Sequence, residues 1–213
     1  MGKNFISNAT EELYRIFGAL NKRSFNGELP EPIIIIQKGK KNVLGAFSTK
    51  KVWYPFSKEE DVSRDEGIYE LTIVAENLNR PVVDIVGTVL HEMVHYNNIL
   101  KKVKGCKGKK HNETFKNEAE RVGLVCTEED GIGWGITEVG EDLEKFIVDE
   151  LNPNKEVFSY FRFIPTKSSA KPKKKNKISY KCETCGEEVK GKRGLNIYCE
   201  DCGVKFTPES EEE

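Results

Sequence analysis

The chain has 213 residues with 37% hydrophobic side chains, enough for one ordinary core and a small appendage, so a globular enzyme is admissible. A formal net charge of −1 excludes a uniformly basic or acidic protein, and no stretch approaches the roughly 20 apolar residues of a membrane-spanning helix. The opening MGKNFISNATEELYRIF lacks an apolar run behind a basic start, and four of the six cysteines fall in two CxxC pairs, so the expectation is a soluble, cytoplasmic chain in a reducing compartment.

Leu13, Ile16, Phe17 and Leu20 recur at helical spacing within residues 9–25, and Asn26-Gly27 closes that helix with turn chemistry. The runs PIIIIQ, VLGAFST, KVWYPF and GIYELTIV are β-branched and aromatic and predict short strands, with 59–67 as a polar loop between the last two. From Pro81 to about Leu100 the pattern becomes helical, with Asn79 or Arg80 as cap, Pro81 in the first turn and Asp84 near the positive helix end.

That helix carries His91, Glu92 and His95 in the arrangement HExxH. Side chains four apart on a helix project together, so both imidazoles reach one Zn²⁺ at about 2.0–2.1 Å. Most of the helix is apolar, and two imidazoles and a carboxylate left unpaired there would cost several kcal/mol. Glu92 then lies beside the metal as a general base for a zinc-bound water and, afterwards, as the acid that protonates the leaving amine. A catalytic zinc has three protein ligands and an open position. His111, expected at the start of the next helix after the loop 101–110, is the natural third; Glu113 and Glu118 compete for the place, and Cys106 is read as a plain thiol. Asn98 and Lys101 occupy the positions where a metzincin has its glycine and third histidine.

Residues 113–123 predict a helix ending at Gly123, GIGWGIT at 131–137 a glycine-rich loop, VGEDLEKFIVDEL a further helix and VFSYFRFI a strand. PTKSSAKPKKKNK, 165–177, has six lysines and almost nothing to bury, which marks a flexible linker after a body of 1–164. Cys182, Cys185, Cys199 and Cys202 follow as two knuckles in a segment of 178–207, spacing that predicts a closed structural zinc site. An acidic tail, 208–213, ends the chain. Residues 167–207 hold eleven basic against five acidic side chains, so this module suits a polyanionic partner. Lys173, Lys174, Lys175, Lys190, Lys192 and Arg193 are the candidate phosphate contacts, and Tyr180, Tyr198 and Phe206 the candidate base-stacking groups for single-stranded or damaged DNA; the alternative is that the aromatics pack the module's thin core and the lysines solubilise it.

LNKRSFNGELPEPIII, LNRPVVDIVGTVLHEMVHYNN and HNETFKNEAERVGL, in this order, resemble the SprT-like domain, the zinc peptidase domain of Spartan-type proteins, over roughly residues 10–125. The resemblance implies an α+β, zincin-like fold followed by a four-cysteine zinc ribbon, His91, His95 and His111 as ligands of a catalytic zinc, and Glu92 as the catalytic residue. It further implies proteins bound or crosslinked to DNA as a possible substrate class; a chain that binds DNA would be nucleoid-associated within the cytoplasm. The loop KKVKGCKGKKH departs from the glycine-rich approach to the third histidine that is common in that family. The competing expectation is a non-proteolytic nucleic-acid-binding or regulatory protein in which both zincs are structural.

Overall fold

The computed structural model describes residues 4–40, 42–56, 66–163 and 177–208. The chain divides into two compact units, Met1–Ile164 and Pro165–Glu213, and both are mixed assemblies of short elements.

In the first unit, α1 runs Phe5–Phe25, four residues earlier than the periodicity alone marks. Ala9, Leu13, Ile16, Phe17 and Leu20 form its buried stripe, and Asn26, at φ 55°, caps it in the left-handed conformation that asparagine tolerates. The first sheet has β1 (Ile33–Gln37), β2 (Gly45–Phe47) and β3 (Glu70–Val74) in the order β1-β3-β2, with β1 parallel and β2 antiparallel to the central β3. KVWYPF does not form the expected strand. Among the described residues a single bridge joins Trp53 to Ile68, Pro55 offers no N–H to extend it, and Phe56 is 95% exposed. Most of the expected loop 59–67 lies outside the described residues.

The helix α2, Val82–Leu100, touches β2 and β3 on one side and the second sheet on the other. Ile85, Val86, Val89, Leu90, Met93, Val94 and Tyr96 are buried along it, as expected for a helix covered on most faces. Its N-cap is Pro81, with no side-chain capping bond, in place of Asn79 or Arg80. Arg80 instead reaches along the helix, donating Nε–H to the Asn77 carbonyl and Nη2–H to Thr88 Oγ1, at 2.9 and 3.0 Å.

Beyond α2 the expected loop folds into a small hairpin, β4 (Cys106–Lys107) and β5 (Lys110–His111). His111 therefore ends a strand, and Asn112 caps α3 (Glu113–Arg121) by accepting from the Phe115 amide at 3.1 Å. β6 (Leu124–Glu129) and β7 (Gly133–Val139) complete a sheet of order β4-β5-β7-β6. The glycine-rich segment is thus a central strand, a correction whose cause is tertiary: Gly133 and Gly135 sit where β7 passes His111 too closely for a side chain.

α4 (Glu141–Phe146) continues as a wide turn, Ile147–Leu151, and buries Leu143, Ile147 and Leu151. VFSYFRFI is not a strand. It begins in a 3-10 turn, Lys155–Phe158, where Phe158 is buried, whereas Tyr160, Phe161 and Phe163 stay exposed and the Arg162 amide bonds the Ala75 carbonyl.

The second unit has a sheet of order β12-β8-β9, made of β8 (Lys177–Lys181), β9 (Glu188–Lys192) and β12 (Thr207–Pro208), and a separate pair, β10 (Tyr198–Cys199) and β11 (Val204–Lys205). Lys177, the last residue of the expected linker, already belongs to β8. Tyr180, Cys182, Cys199 and Phe206 make a thin core with Ile178, Val189, Ile197 and Val204 against it. Among the described residues of the chain no helix is long and apolar enough to cross a membrane.

Candidate functional site

The helix α2 presents His91 and His95 one turn apart, and the β4–β5 hairpin brings His111 to the same point. The Nε2 atoms stand 3.2 Å apart for His91 and His95, and 3.1 Å apart for His95 and His111. Each outward nitrogen faces another group. His91 Nδ1 lies 2.9 Å from Thr137 Oγ1, His111 Nδ1 lies 3.3 Å from the Ile132 carbonyl oxygen, and His95 Nδ1 lies 4.0 Å from Cys106 Sγ.

A carbonyl oxygen only accepts, so His111 carries its proton on Nδ1 and turns the bare Nε2 lone pair towards His95. Burial and the neighbouring His95 and His111 rings hold His91 well below its ordinary pKa. Burial, with His111 adding to it, takes His95 to about 4, and burial also lowers His111. These are neutral imidazoles, the form that ligates metals. Three nitrogens at about 2.0–2.1 Å from a tetrahedral cation stand roughly 3.3 Å from one another, close to the spacing found here. His91, His95 and His111 thus form a group able to hold a metal ion. Phe115, fully buried, lies against all three rings at centroid distances of 4.8, 4.7 and 4.4 Å.

Glu92, next to His91 on α2, is only 5% exposed. Burial alone pushes its carboxyl up to about 8. The backbone of β2 runs directly over it: a Cβ on Gly45 would stand 3.0 Å from Glu92 Oε1 and 3.0 Å from Thr88 Cγ2.

The carboxylates that competed for the third ligand position are elsewhere. Glu113 is exposed in the first turn of α3, and Glu118 binds the Arg121 guanidinium at 2.9 and 2.7 Å and also accepts from Asn97. The Arg121 hydrogen bond holds the Glu118 carboxyl below the usual carboxylate range. Cys106 is no ligand either, because it sits behind His95 on the Nδ1 side.

Several site residues were not singled out by sequence reasoning. Thr137 meets His91 because Gly87 admits the end of β7: a Cβ there would stand 2.8 Å from Val139 Cγ2. Gly133, at φ +67°, and Gly135 let β7 pass the His111 backbone and ring. The available signal was the period-two alternation through Gly133, Gly135 and Thr137, masked by glycine density.

In the second unit Cys182, Cys185, Cys199 and Cys202 converge, with Cys185 Sγ 3.7 Å from Cys199 Sγ. Four thiolates about 2.3 Å from one tetrahedral ion stand roughly 3.8 Å apart. The two knuckles have the same backbone: the Gly186 amide bonds the Cys182 carbonyl and the Gly203 amide the Cys199 carbonyl, both at 2.8 Å, with both glycines at positive φ. A core of four buried side chains is too small to fold this unit unaided. Metal binding at such a site contributes on the order of 10 kcal/mol of folding free energy. Cys199→Ser is therefore expected to release one metal equivalent and collapse the dispersed amide resonances of 177–208, while those of the first unit stay in place.

Lys190 and Lys192 are exposed on one face of β9, and Arg193 is exposed beyond its end. Lys173, Lys174 and Lys175 lie outside the described residues. Of the three aromatic candidates for base stacking, Tyr180 and Phe206 are core residues, a correction to the sequence reading; Tyr198 is 68% exposed. The Tyr180 hydroxyl instead donates to the Lys192 carbonyl and accepts from the Leu195 amide, pinning the basic turn. Comparison with family models, curated proteins and solved structures finds no match for this chain.

Proposed function

We propose that this protein is a zinc-dependent metallopeptidase of the SprT-like type that hydrolyses proteins bound or crosslinked to DNA. The observation that carries the reading is the convergence of three imidazole Nε2 atoms, with a buried carboxyl, Glu92, adjacent in sequence to the first of them. His91, His95 and His111 would hold the ion. When bound, zinc supplies Lewis acidity towards water and the scissile carbonyl. Although burial alone raises its carboxyl to about 8, a cation held by the neighbouring histidines would favour ionised Glu92, which would take the proton of the attacking water on a carboxylate oxygen and pass it to the departing amine, ending the cycle as it began. A purely structural metal site has no use for a buried carboxyl in that position.

The second unit supplies a DNA-binding module whose zinc is structural, with Lys190, Lys192 and Arg193 contacting phosphates and Tyr198 stacking on an unpaired base. Tyr198, exposed and paired across β10–β11 with the exposed Lys205, favours single-stranded or locally unpaired DNA. The full chain loaded with zinc should cleave a protein crosslinked to single-stranded DNA faster than the same protein free, and the difference should shrink as salt rises. Chelation should stop cleavage and added zinc restore it, with fragments read by mass spectrometry. Absence of any new peptide terminus on free or DNA-bound protein, at two zincs per chain, would overturn the reading.

A further inference from the structure

The outward nitrogens of the three histidines meet three groups able to accept a hydrogen bond with different strength, and none of them belongs to the HExxH motif. The partner of His111 is a main-chain carbonyl, which no substitution removes. The partners of His91 and His95 are side chains, Thr137 Oγ1 and Cys106 Sγ. We infer that Thr137 and, more weakly, Cys106 are positioning residues that fix the ring plane and tautomer of His91 and His95 and so set the metal affinity of the site. The inference rests on reading the three histidines as a metal centre.

An imidazole free to turn about its Cβ–Cγ bond presents Nε2 in the required direction only part of the time. A hydrogen bond from Nδ1–H stops that rotation, fixes the proton on Nδ1 and makes Nε2 a better donor to a cation. At 2.9 Å from His91 Nδ1, Thr137 Oγ1 is well placed to accept that bond. Its hydroxyl hydrogen remains free to turn elsewhere. Thr137 is held in place by β7, where it pairs with Cys126 of β6, and by the close approach that Gly87 permits. Cys106 pairs with His111 across the β4–β5 hairpin while its thiol faces His95. One short hairpin residue is therefore placed between two of the three ligands. A thiol 4.0 Å away is a weak acceptor, so its contribution ranks below that of Thr137.

The test uses the full chain and Thr137→Val, Thr137→Ser and Cys106→Ala. Valine keeps the shape and strand preference of threonine and removes only the hydroxyl. Affinity for Zn²⁺ is measured by competition with a chromophoric chelator, following the equivalent that disappears in His95→Ala and leaving aside the one that disappears in Cys199→Ser. Thr137→Val should weaken this equivalent by about 10- to 100-fold, Thr137→Ser should stay within about threefold of the wild type, and Cys106→Ala should lose about three- to 10-fold. Thermal melting of the chelated proteins checks that the fold is unaltered. Wild-type affinity in Thr137→Val overturns the inference, and so does a loss in Thr137→Ser as large as in Thr137→Val, which would point to packing. Wild-type affinity in Cys106→Ala removes Cys106 from it. A wild-type protein that loses no equivalent on His95→Ala overturns the metal centre itself, a distinct result.

Discussion

Glu92→Gln is expected to lower peptide hydrolysis by about 10²- to 10⁴-fold while both metal equivalents stay bound. The substitution replaces one carboxylate oxygen by an amide nitrogen of nearly equal size, so it fits beneath β2, where the Gly45 position leaves no room for a larger group. Glutamine cannot accept and return a proton, so the attacking water keeps its hydrogen and the amine leaves unassisted. The loss corresponds to roughly 3–5 kcal/mol of transition-state stabilisation. Metal content separates this outcome from structural damage: His95→Ala should lose hydrolysis and one metal together, Glu92→Gln hydrolysis alone. Undiminished cleavage by Glu92→Gln would exclude the proposed proton shuttle and leave the three histidines without a catalytic partner.

The parts of this molecule legible in its sequence are those whose cause is local. The apolar periodicity of α2 and the four-residue separation of His91 and His95 are properties of one helix, and the cysteine knuckles are properties of two turns. The first sheet was visible as β-branched runs for the same reason, except at 52–56, where Trp53, Tyr54 and Phe56 are exposed and apolar sequence does not become buried strand. What escaped depends on distant neighbours. No local feature distinguishes a glycine that breaks a strand from one that lets a strand pass an imidazole, so β7 read as a loop. Tyr180 and Phe206 read as stacking groups because aromatic side chains beside lysines look alike whether they are exposed or buried; their burial follows from the smallness of the second unit, whose core needs them. The position of His111 was legible by elimination among three histidines, but its strand, its carbonyl partner and its distance from His95 were not.

Gly135→Ala is expected to release the metal of the histidine site, weaken its binding by more than about 100-fold, beyond the range found for lost outer hydrogen-bond partners, and abolish hydrolysis with it. An added Cβ at this position would lie in close contact with His111 Nδ1, 2.7 Å from its Cε1 and 2.8 Å from Ile132 Cγ2. Real Cβ atoms do not approach other atoms so closely, so either the strand or the ring must move. The strand is held on both sides, by the Cys126↔Thr137 and Thr127↔Ile136 pairs with β6 and by the His111↔Gly133 pair with β5. The ring is held by its bond to the Ile132 carbonyl and by packing on Phe115, neither of which fixes it as firmly as two strands fix β7, and the new methyl group would press on the nitrogen that makes that bond. His111 therefore turns away and Nε2 leaves the group. Gly133→Ala is a poorer probe, because its Cβ would strike the His111 backbone carbonyl and φ is +67°, so the whole hairpin would suffer. Gly131→Ala supplies the control: φ is +79° but nothing lies within 4 Å of the added atom, so it should cost about 1 kcal/mol of stability and leave both metals in place. Metal stoichiometry by native mass spectrometry reads the result. One equivalent in Gly135→Ala and two in Gly131→Ala is the expected pair; two equivalents in Gly135→Ala, bound as tightly as in the wild type, would mean that His111 is not a ligand and that the ion must be held by another set of groups.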